Sequence, residues 1–387
     1  ITLTGYSGTY VENAAVIYDA AATVTDTDTA VFNGGQLIYQ ITANGTATDE
    51  LGIINQGTGA GQIGLSGTNI TYGGVTIGVY SGSFGTGLTP LSVTFNSSAT
   101  VAAVQALVRN VSFRNTSDNP STATRTISLT VSDGTGQTST PAVVTMAVTA
   151  VNDPPVITSN GGGATASVSV AENTTAVTTV TSTDVDGGTA VYSISGGLDA
   201  AKFSINSSTG VLTFISAPNY EAPTDSGANN VYDVTVQVSD GAGGTDTQAI
   251  AVTVTPVNDN TPAITSNGAG ATAAVSVAEN ATAVTTVTAT DADLPAQTLT
   301  YSIIGGADSA KFSINSSTGG LTFVTPPDYE VPTDSGANNV YDVTVQVSDG
   351  SFTDTQAIAV TVTPVNDNTP VITSNGAAAT ASVSVSE

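Results

Sequence analysis

Carboxylate and asparagine side chains are concentrated in short segments that separate runs of Val, Thr and Ile. One set of them comprises Glu172, Glu221, Asn258, Asp259, Asn260, Asp291, Asp293 and Asp349. Its members are far apart in sequence, but each lies at a predicted strand end or linker, so most of them could meet at one junction. A hard cation such as Ca²⁺ prefers six to eight oxygen ligands that mix carboxylates with carbonyls. The set therefore predicts a calcium site.

Without a cation the same cluster would oppose its own assembly. Two like charges about 4 Å apart repel by roughly 1 kcal/mol in water and by about 4 kcal/mol at an effective dielectric constant of 20. Converging carboxylates would therefore splay an empty linker, and binding of a cation would stiffen it.

A turn interpretation competes with the metal interpretation. Asp-Gly and Asn-Asp pairs are ordinary turn formers, and any single pair is more often a turn than a ligand. Turn propensity does not require Glu172, Asp259 and the pair Asp291 and Asp293 to recur together at one period. The joint pattern therefore favours calcium.

The composition narrows the range of functions. The chain has 387 residues and a formal charge of −26, from 31 acidic and 5 basic residues, so electrostatics oppose nucleic acid and anionic membranes. Cys and His are absent, which removes thiol nucleophiles, imidazole catalysis and the ordinary zinc ligands. No apolar run reaches the roughly 18 residues of a membrane span. We therefore expect no enzyme, no nucleic-acid partner and no membrane span in this sequence.

An internal repeat organises the chain. The motif Val/Ala-Ile-Thr-Ser-Asn occurs at Val156–Asn160, Ala263–Asn267 and Val371–Asn375, and its copies are 107 and 108 residues apart. The length suits about three domains. We predict module 1 at residues 1–153, module 2 at 154–260, module 3 at 261–368, and the first strand of a further repeat at 369–387.

The apolar pattern within the repeat is that of strands. Tyr232, Val234, Val236 and Val238 alternate with polar residues, as expected of a half-buried strand. Clusters of Gly, Asn, Asp and Pro between such runs supply turns at the spacing of an all-β sandwich. The stretch Val101–Val108 is the exception, because its apolar spacing also suits a helix.

Five separated motifs occur in the same order in modules 2 and 3. The motifs, each followed by the residue at which it begins in module 2 and in module 3, are Glu-Asn (Glu172, Glu279), Asp-x-Asp (Asp184, Asp291), Tyr-Glu (Tyr220, Tyr329), Asp-Gly (Asp240, Asp349) and Val-Asn-Asp-Asn (Val257, Val365). In this order they resemble cadherin repeats. The resemblance implies tandem Greek-key, immunoglobulin-like β-sandwich domains arranged as a linear rod, with Ca²⁺ between successive modules. Pro256 and Pro364 replace the first Asp of the linker motif, and Asn219 replaces the Asp before Tyr-Glu, which predicts weaker binding.

The resemblance also implies how the ligands divide between modules. At the second junction, Glu172, Glu221 and Asp259 belong to module 2, and Asp291, Asp293 and Asp349 belong to module 3. The same scheme at the first junction gives Glu12, Asn152, Asp153, Asp184, Asp186 and Asp240, with Asn115 or Asp118 replacing the Glu that module 1 lacks. Two half-sites are expected at the ends, formed by Asp26, Asp28 and Asp133 in module 1, and by Glu279, Asp328, Glu330, Asn366, Asp367 and Asn368 in module 3.

Module 1 departs from the other two. A Gly-rich insertion at about 51–90 is predicted to add strands or a long hairpin, and the ending Val151–Pro155 is similar to bacterial cadherin-like repeats. At the other end of the chain, residues 371–387 repeat the start of module 3. We expect this segment to be ordered only through contact with a neighbouring chain or domain, because an unpaired strand is an adhesive edge.

The leading hypothesis is an extracellular, cell-surface structural or adhesive protein, a segment of a bacterial surface fibre or filament. Its expected partners are copies of itself or further repeats in line, and a cell-surface protein or glycan. In an alternative, module 1 binds a sugar or protein through exposed aromatic residues of the insertion, Tyr72, Tyr80 and Phe84. A remote alternative is a carboxylate-pair hydrolase, which needs two acids about 5 to 10 Å apart beside a cleft. The junctions already account for nearly all of the acids.

Overall fold

The chain forms short strands over most of its length. The computed structural model describes residues 7–17, 20–81, 85–371 and 380. Phe84 lies outside the described residues, and so does the predicted start of a further repeat apart from residues 369–371 and 380.

The described part of module 1 contains a large sheet, a small sheet and one helix. Its strands are β1 (Ser7–Val11), β2 (Val16–Ile17), β3 (Gln36–Ala43), β4 (Asp49–Ile53), β5 (Ile63–Ser66), β6 (Asn69–Tyr72), β7 (Val75–Tyr80), β8 (Leu91–Phe95), β9 (Val111–Asn115), β10 (Arg125–Val131) and β11 (Ala142–Thr149). The large sheet has the order β1-β11-β10-β3-β8-β7-β6-β5, and the small one has the order β2-β9-β4. Strands β5 to β7 fall within the insertion and extend the large sheet at one edge.

The ambiguous stretch in module 1 is helix α1 (Val101–Val108). Thr100 caps its first turn, because the Thr100 side chain accepts a hydrogen bond from the Ala103 backbone N–H at 3.3 Å. Val104 and Leu107 are fully buried in the core of module 1. The apolar spacing of three and four residues is therefore helical here.

Modules 2 and 3 repeat one arrangement of nine strands. In module 2 they are β12 (Val156–Ile157), β13 (Thr165–Ala171), β14 (Ala176–Thr179), β15 (Ser182–Thr183), β16 (Val191–Gly196), β17 (Phe203–Ile205), β18 (Val211–Phe214), β19 (Val231–Ser239) and β20 (Thr245–Thr255). In module 3 they are β21 (Ala263–Ile264), β22 (Thr272–Ala278), β23 (Ala283–Thr286), β24 (Ala289–Thr290), β25 (Thr300–Gly305), β26 (Phe312–Ile314), β27 (Gly320–Phe323), β28 (Val340–Ser348) and β29 (Thr353–Thr363). Single 3-10 turns lie at Ser159–Gly161, Ala200–Lys202 and Ser309–Lys311.

Each of these modules is a sandwich of unequal sheets. In module 2 the four-stranded sheet has the order β13-β20-β19-β16 and the three-stranded sheet has the order β14-β18-β17, while β12 pairs with β15. The first strand of the large sheet runs parallel to the last strand of the module, from Thr165 opposite Ala249 to Ala171 opposite Thr255. Strands β1 and β22 pair in the same way with β11 and β29. The predicted all-β tandem fold is confirmed.

Separate hydrophobic clusters fill the three modules. In module 2, Phe214 from the small sheet meets Tyr232 from the large sheet edge to face, with ring centroids 5.1 Å apart. Phe323 and Tyr341 repeat this contact in module 3 at 5.2 Å. The three clusters span Tyr10 to Val148, Ile157 to Val254 and Ile264 to Val362. The exact module boundaries stay a prediction.

A buried ion pair lies inside module 1, between the large and the small sheet. Arg125 of β10 and Asp49 of β4 are fully buried, and Arg125 Nε lies 3.1 Å from Asp49 Oδ2. Asn115 Nδ2 donates to Asp49 Oδ1 at 2.6 Å, and Arg125 Nη1 donates to the carbonyl oxygens of Ser121 and Ala123. The pair is therefore well hydrogen-bonded as well as charge-balanced.

We expect Arg125→Met to lower the free energy of unfolding of module 1 by about 3–5 kcal/mol, because Asp49 would remain buried without a countercharge. The matched control is Arg114→Met, which removes the exposed partner of Glu50 and should cost less than about 1 kcal/mol. Urea denaturation of the full chain, followed by hydrogen exchange at module 1 amides, measures both. Equal losses in the two variants would contradict the assignment.

Candidate metal sites at the module junctions

A buried glutamate at the start of each module ties strand to linker. Glu172 follows β13, and its two carboxylate oxygens accept hydrogen bonds from the backbone N–H groups of Val257 at 2.7 Å and Tyr220 at 2.8 Å. Glu279 binds the equivalent Val365 and Tyr329 at 2.6 and 2.7 Å. In module 1, Glu12 accepts from the Val151 N–H at 2.8 Å. In modules 2 and 3 this glutamate therefore ties its own segment to two distant ones, the Tyr-Glu loop and the linker.

Two groups of carboxylates meet at the second junction. Oxygen atoms of Glu172, Glu221 and Asp259, all from module 2, lie within 4.8 Å of one another. Oxygen atoms of Asp291, Asp293 and Asp349, all from module 3, do the same. The structure thus places the six acidic residues that the sequence assigned to this junction in two groups of three, one from each module.

Hydrogen bonds connect the two groups across the junction. Asp293 is 2% exposed and accepts from the backbone N–H of Asn260 at 3.2 Å and from its Nδ2 at 2.7 Å. Glu221 Oε1 accepts from the Leu294 N–H at 3.2 Å, and the carboxamides of Asn258 and Gln297 meet at 2.7 Å. Burial raises the pKa of Asp293, but the hydrogen bonds from Asn260 and Asp259 outweigh it and hold that pKa below its usual value.

The first junction uses the equivalent residues in a looser arrangement. Asp186 accepts from the Asp153 N–H at 2.6 Å, and Asn152 Nδ2 donates to Asp240 at 2.7 Å. Burial raises the pKa of the Asp153 carboxyl, and the nearby charges of Asp186, Asp118 and Asp184 raise it further. No three carboxylates of this set approach one another within 4.8 Å in the part of the chain that the structure describes.

The two candidates for the missing glutamate of module 1 have different positions. Asp118 lies close enough to Asp153 to raise its pKa, and the neighbouring Asn119 donates to the Val185 carbonyl of module 2 at 2.9 Å. Asn115 is buried and donates to Asp49 inside module 1. The geometry therefore favours Asp118 over Asn115.

The two predicted half-sites also cluster. Oxygen atoms of Asp26, Asp28 and Asp133 lie within 4.8 Å of one another, as do those of Glu279, Asp328 and Glu330. Hydrogen bonding and charge from Asp26 raise the pKa of Asp28. Asp367 accepts from Asn280 Nδ2 at 2.6 Å, whereas Asn366 and Asn368 are exposed.

Several of these acids form turns as well. Asp240 accepts from the N–H groups of Ala242, Gly243 and Gly244, at 2.7 to 3.1 Å. Asp349 accepts from Ser351 and Phe352 in the equivalent loop of module 3. The turn and metal interpretations are therefore compatible at Asp349, whose turn uses only Oδ1, whereas both carboxylate oxygens of Asp240 accept hydrogen bonds from the loop or from Asn152.

The donor atoms at these sites fit a cation. Four buried carboxylate oxygens in the described part of the chain have no hydrogen-bond partner, and each belongs to a predicted ligand. They are Asp26 Oδ2, Asp153 Oδ2, Glu221 Oε2 and Asp291 Oδ2. A buried anionic oxygen without a partner is costly, and a hard divalent cation with oxygen preference would offset that cost.

Sequence reasoning missed other carboxylates, which are structural. Asp225 is buried and accepts from the N–H groups of Gly227, Asn229 and Asn230, and Asp334 is equivalent in module 3. Burial raises the pKa of Asp334, and backbone hydrogen bonds from the same loop outweigh it and lower that pKa. The signal in the sequence is the heptapeptide Thr-Asp-Ser-Gly-Ala-Asn-Asn, which occurs in both modules.

Comparison with known proteins agrees with this geometry. The family model described as Cadherin domain matches residues 166–255 and 273–364. Modules 2 and 3 are tandem cadherin repeats. Cadherin repeats are building blocks of extracellular adhesion proteins rather than of enzymes, and they bind calcium as a family. The prediction of a non-enzymatic cadherin-like repeat protein is therefore confirmed.

Animal cadherins are among the relatives. Human protocadherin Fat 1 is 31% identical over 217 residues, which are 53% of this chain and 4% of that protein. The Drosophila melanogaster protocadherin-like wing polarity protein stan is 34% identical over 212 residues, 52% of this chain and 6% of that protein. The chain thus spans a small fraction of the length of these relatives.

A solved structure supports the fold. The protocadherin gammaB7 EC3-6 cis-dimer structure has a TM-score of 0.50 and 18% identity, covering 90% of this chain and 77% of that chain.

Within the described residues, no helix combines the length and apolar character needed to cross a bilayer.

As the solution is acidified, we expect the first junction to lose its calcium affinity at a higher pH than the second junction. Metal binding requires deprotonated carboxylates. Asp153 has a raised pKa and keeps its proton above the usual range, whereas the pKa of Asp293 is lowered. Calorimetric calcium titrations between neutral and mildly acidic pH measure this order. Asp153→Asn should abolish the loss of calcium affinity that begins at the higher pH. Loss of calcium affinity at the same pH at both junctions would contradict the prediction.

Proposed function

We propose that this chain is an extracellular structural and adhesive segment whose modules are held in fixed relative orientation by Ca²⁺ at their junctions. The observation that carries the proposal is the second junction, where carboxylates of both modules converge with two buried, unpartnered oxygens, Glu221 Oε2 and Asp291 Oδ2. Recognition of a sugar or protein by exposed aromatic residues has less support as the main function, because Tyr72 and Tyr80 are half-buried against the core of module 1 and do not form an exposed aromatic surface.

Residues from both modules would hold the ion together. Glu172, Glu221 and Asp259 would contribute from module 2, and Asp291, Asp293 and Asp349 would contribute from module 3. Ca²⁺ would supply positive charge that converts mutual repulsion of the carboxylates into attraction. The hydrogen bonds from Asn260 to Asp293 and from Leu294 to Glu221 would then set the angle between the modules, because both cross the junction.

The finer part of the proposal concerns the setting. We propose that the segment belongs to a bacterial surface fibre, in which it continues in line with further repeats or with copies of itself. The support is the Val151–Pro155 ending of module 1 and the near identity of modules 2 and 3, which makes each junction surface compatible with the next module.

We expect chelation to lower the melting temperature and to broaden the distribution of particle shapes. A ligand that binds only the folded state stabilises it by RT ln(1 + [L]/Kd), and the empty carboxylates repel one another. The affinity should lie at about 10⁻⁴ to 10⁻³ M, as in extracellular modules. Calorimetry and small-angle scattering in calcium and in chelator measure both effects. Identical melting curves would rule out the proposal.

We expect the double variant Asp291→Ala with Asp293→Ala to loosen the second junction while module 3 stays folded, because both residues lie in a loop after β24. The matched control is Asp233→Ala with Asp342→Ala, which also removes two charges but from strand positions in β19 and β28. Scattering in calcium should resemble the chelated wild type only for the junction variant. Metal-independent unfolding of module 3 by the junction variant would show that these residues serve the fold and not the metal.

A further inference from the structure

Module 1 contains a polar groove that the calcium sites do not use. The groove has a volume of about 370 Å³ and lies between α1 and the end of β6. Gln105 and Arg109 face it from one side of the helix, Tyr72 and Gln56 face it from the insertion, and Asn110 also lines it. None of the predicted metal ligands lines this groove.

The groove holds the one arginine that has no carboxylate partner among the described residues. Of the three arginines in the chain, Arg114 pairs with Glu50 and Arg125 pairs with Asp49. Arg109 Nε donates to the Ala22 carbonyl at 2.7 Å, which fixes the guanidinium at the groove. Its two Nη groups have no acceptor among the residues that the structure describes, and a guanidinium binds a carboxylate through two parallel hydrogen bonds. The groove is therefore a local cationic site in a chain of charge −26.

Asn110 contributes a hydrogen-bond acceptor to the groove, whereas Arg109 contributes donors. Its side chain is 5% exposed, its Nδ2 donates to the Ala106 carbonyl at 2.8 Å, and its Oδ1 is buried without a hydrogen-bond partner. A buried acceptor of this kind calls for a donor from a ligand, since most buried polar atoms are paired. A carboxylate cannot supply that donor, but a hydroxyl group can.

Two glutamines provide further donors in fixed orientation. Gln56 Oε1 accepts from the Ile63 N–H at 3.1 Å, and Gln105 Oε1 accepts from the Val24 N–H at 3.2 Å. Both oxygens are engaged by backbone, so the two Nε2 groups are left to donate to a ligand. Tyr72, which is half-buried against the core, gives the groove an aromatic wall.

We propose that this groove binds an acidic saccharide, a sugar that carries both a carboxylate and hydroxyl groups. Arg109 would bind the carboxylate, the Nε2 groups of Gln56 and Gln105 would donate to hydroxyl oxygens, and Asn110 Oδ1 would accept from a hydroxyl. A neutral sugar would leave Arg109 unused, and a carboxylate ligand without hydroxyl groups would leave Asn110 unpaired. The inference is independent of the proposed calcium function, because the groove and the junctions share no residue.

The test is calorimetric titration of the full chain in calcium with galacturonic acid trimer as the probe. Its methyl ester and propane-1,2,3-tricarboxylate, which has carboxylates but no hydroxyl group, serve as comparison ligands. We expect the acid trimer to bind at least about tenfold more tightly than either, because only the trimer satisfies both Arg109 and Asn110. Equal binding of the ester or of the tricarboxylate, or no binding of the trimer, would overturn the proposal.

Two variants locate the site. Arg109→Gln should weaken trimer binding by about tenfold or more, while the control Arg114→Gln, which removes an exposed arginine outside the groove, should leave it unchanged. Ala102→Trp fills the groove from an exposed helix position and provides the same test if Arg109→Gln does not fold. Binding that disappears in chelator but survives in both groove variants would place the sugar on a bound metal and refute the groove.

Discussion

Mutual repulsion of carboxylates at the ends of the modules is the constraint on which the rest of the structure depends. A sandwich of Val and Thr strands needs no such cluster, and the core of module 2 is complete without Glu221 or Asp259. The acids instead lie where two chain segments enter and leave a module, and buried glutamates such as Glu172 hold those segments together through backbone hydrogen bonds. The fold thus places the carboxylates at the junctions, where neighbouring modules contact each other.

The two junctions show how the same ligand types produce different electrostatics. At the second junction, Asp293 receives hydrogen bonds from Asn260, which stabilise its charged form. At the first junction, Asp153 has one buried oxygen without a partner, and burial together with its acidic neighbours raises its pKa. The residue equivalent to Asp293 is Asp186, which cannot receive the corresponding backbone hydrogen bond, because Pro154 occupies the position equivalent to Asn260 and has no N–H to donate.

Much of this architecture could be predicted from the sequence, because it depends on periodic signals. The alternation at Val231–Ser239 and the repeat at intervals of 107 and 108 residues gave strands and modules, and the recurring Glu, Asp-x-Asp and Asn-Asp motifs gave the carboxylates that converge. The remainder has no periodicity. Arg125 and Asp49 are 76 positions apart and occur once, and the contact of Asn258 with Gln297 has no counterpart in module 2. Long-range pairs between single residues leave no signal in one sequence.

The parallel pairing of the first and last strands of each module has a consequence for how the chain resists pulling. In module 2, β13 lies beside β20 from Thr165 opposite Ala249 to Ala171 opposite Thr255, so the chain enters the ladder at one end and leaves it at the other. Tension applied through the two linkers therefore slides the strands along each other and loads the hydrogen bonds of the ladder simultaneously, in shear. Hairpin strands pulled from the same end would instead open one bond at a time. Because β1–β11 and β22–β29 share this geometry, every module opposes extension by the same means.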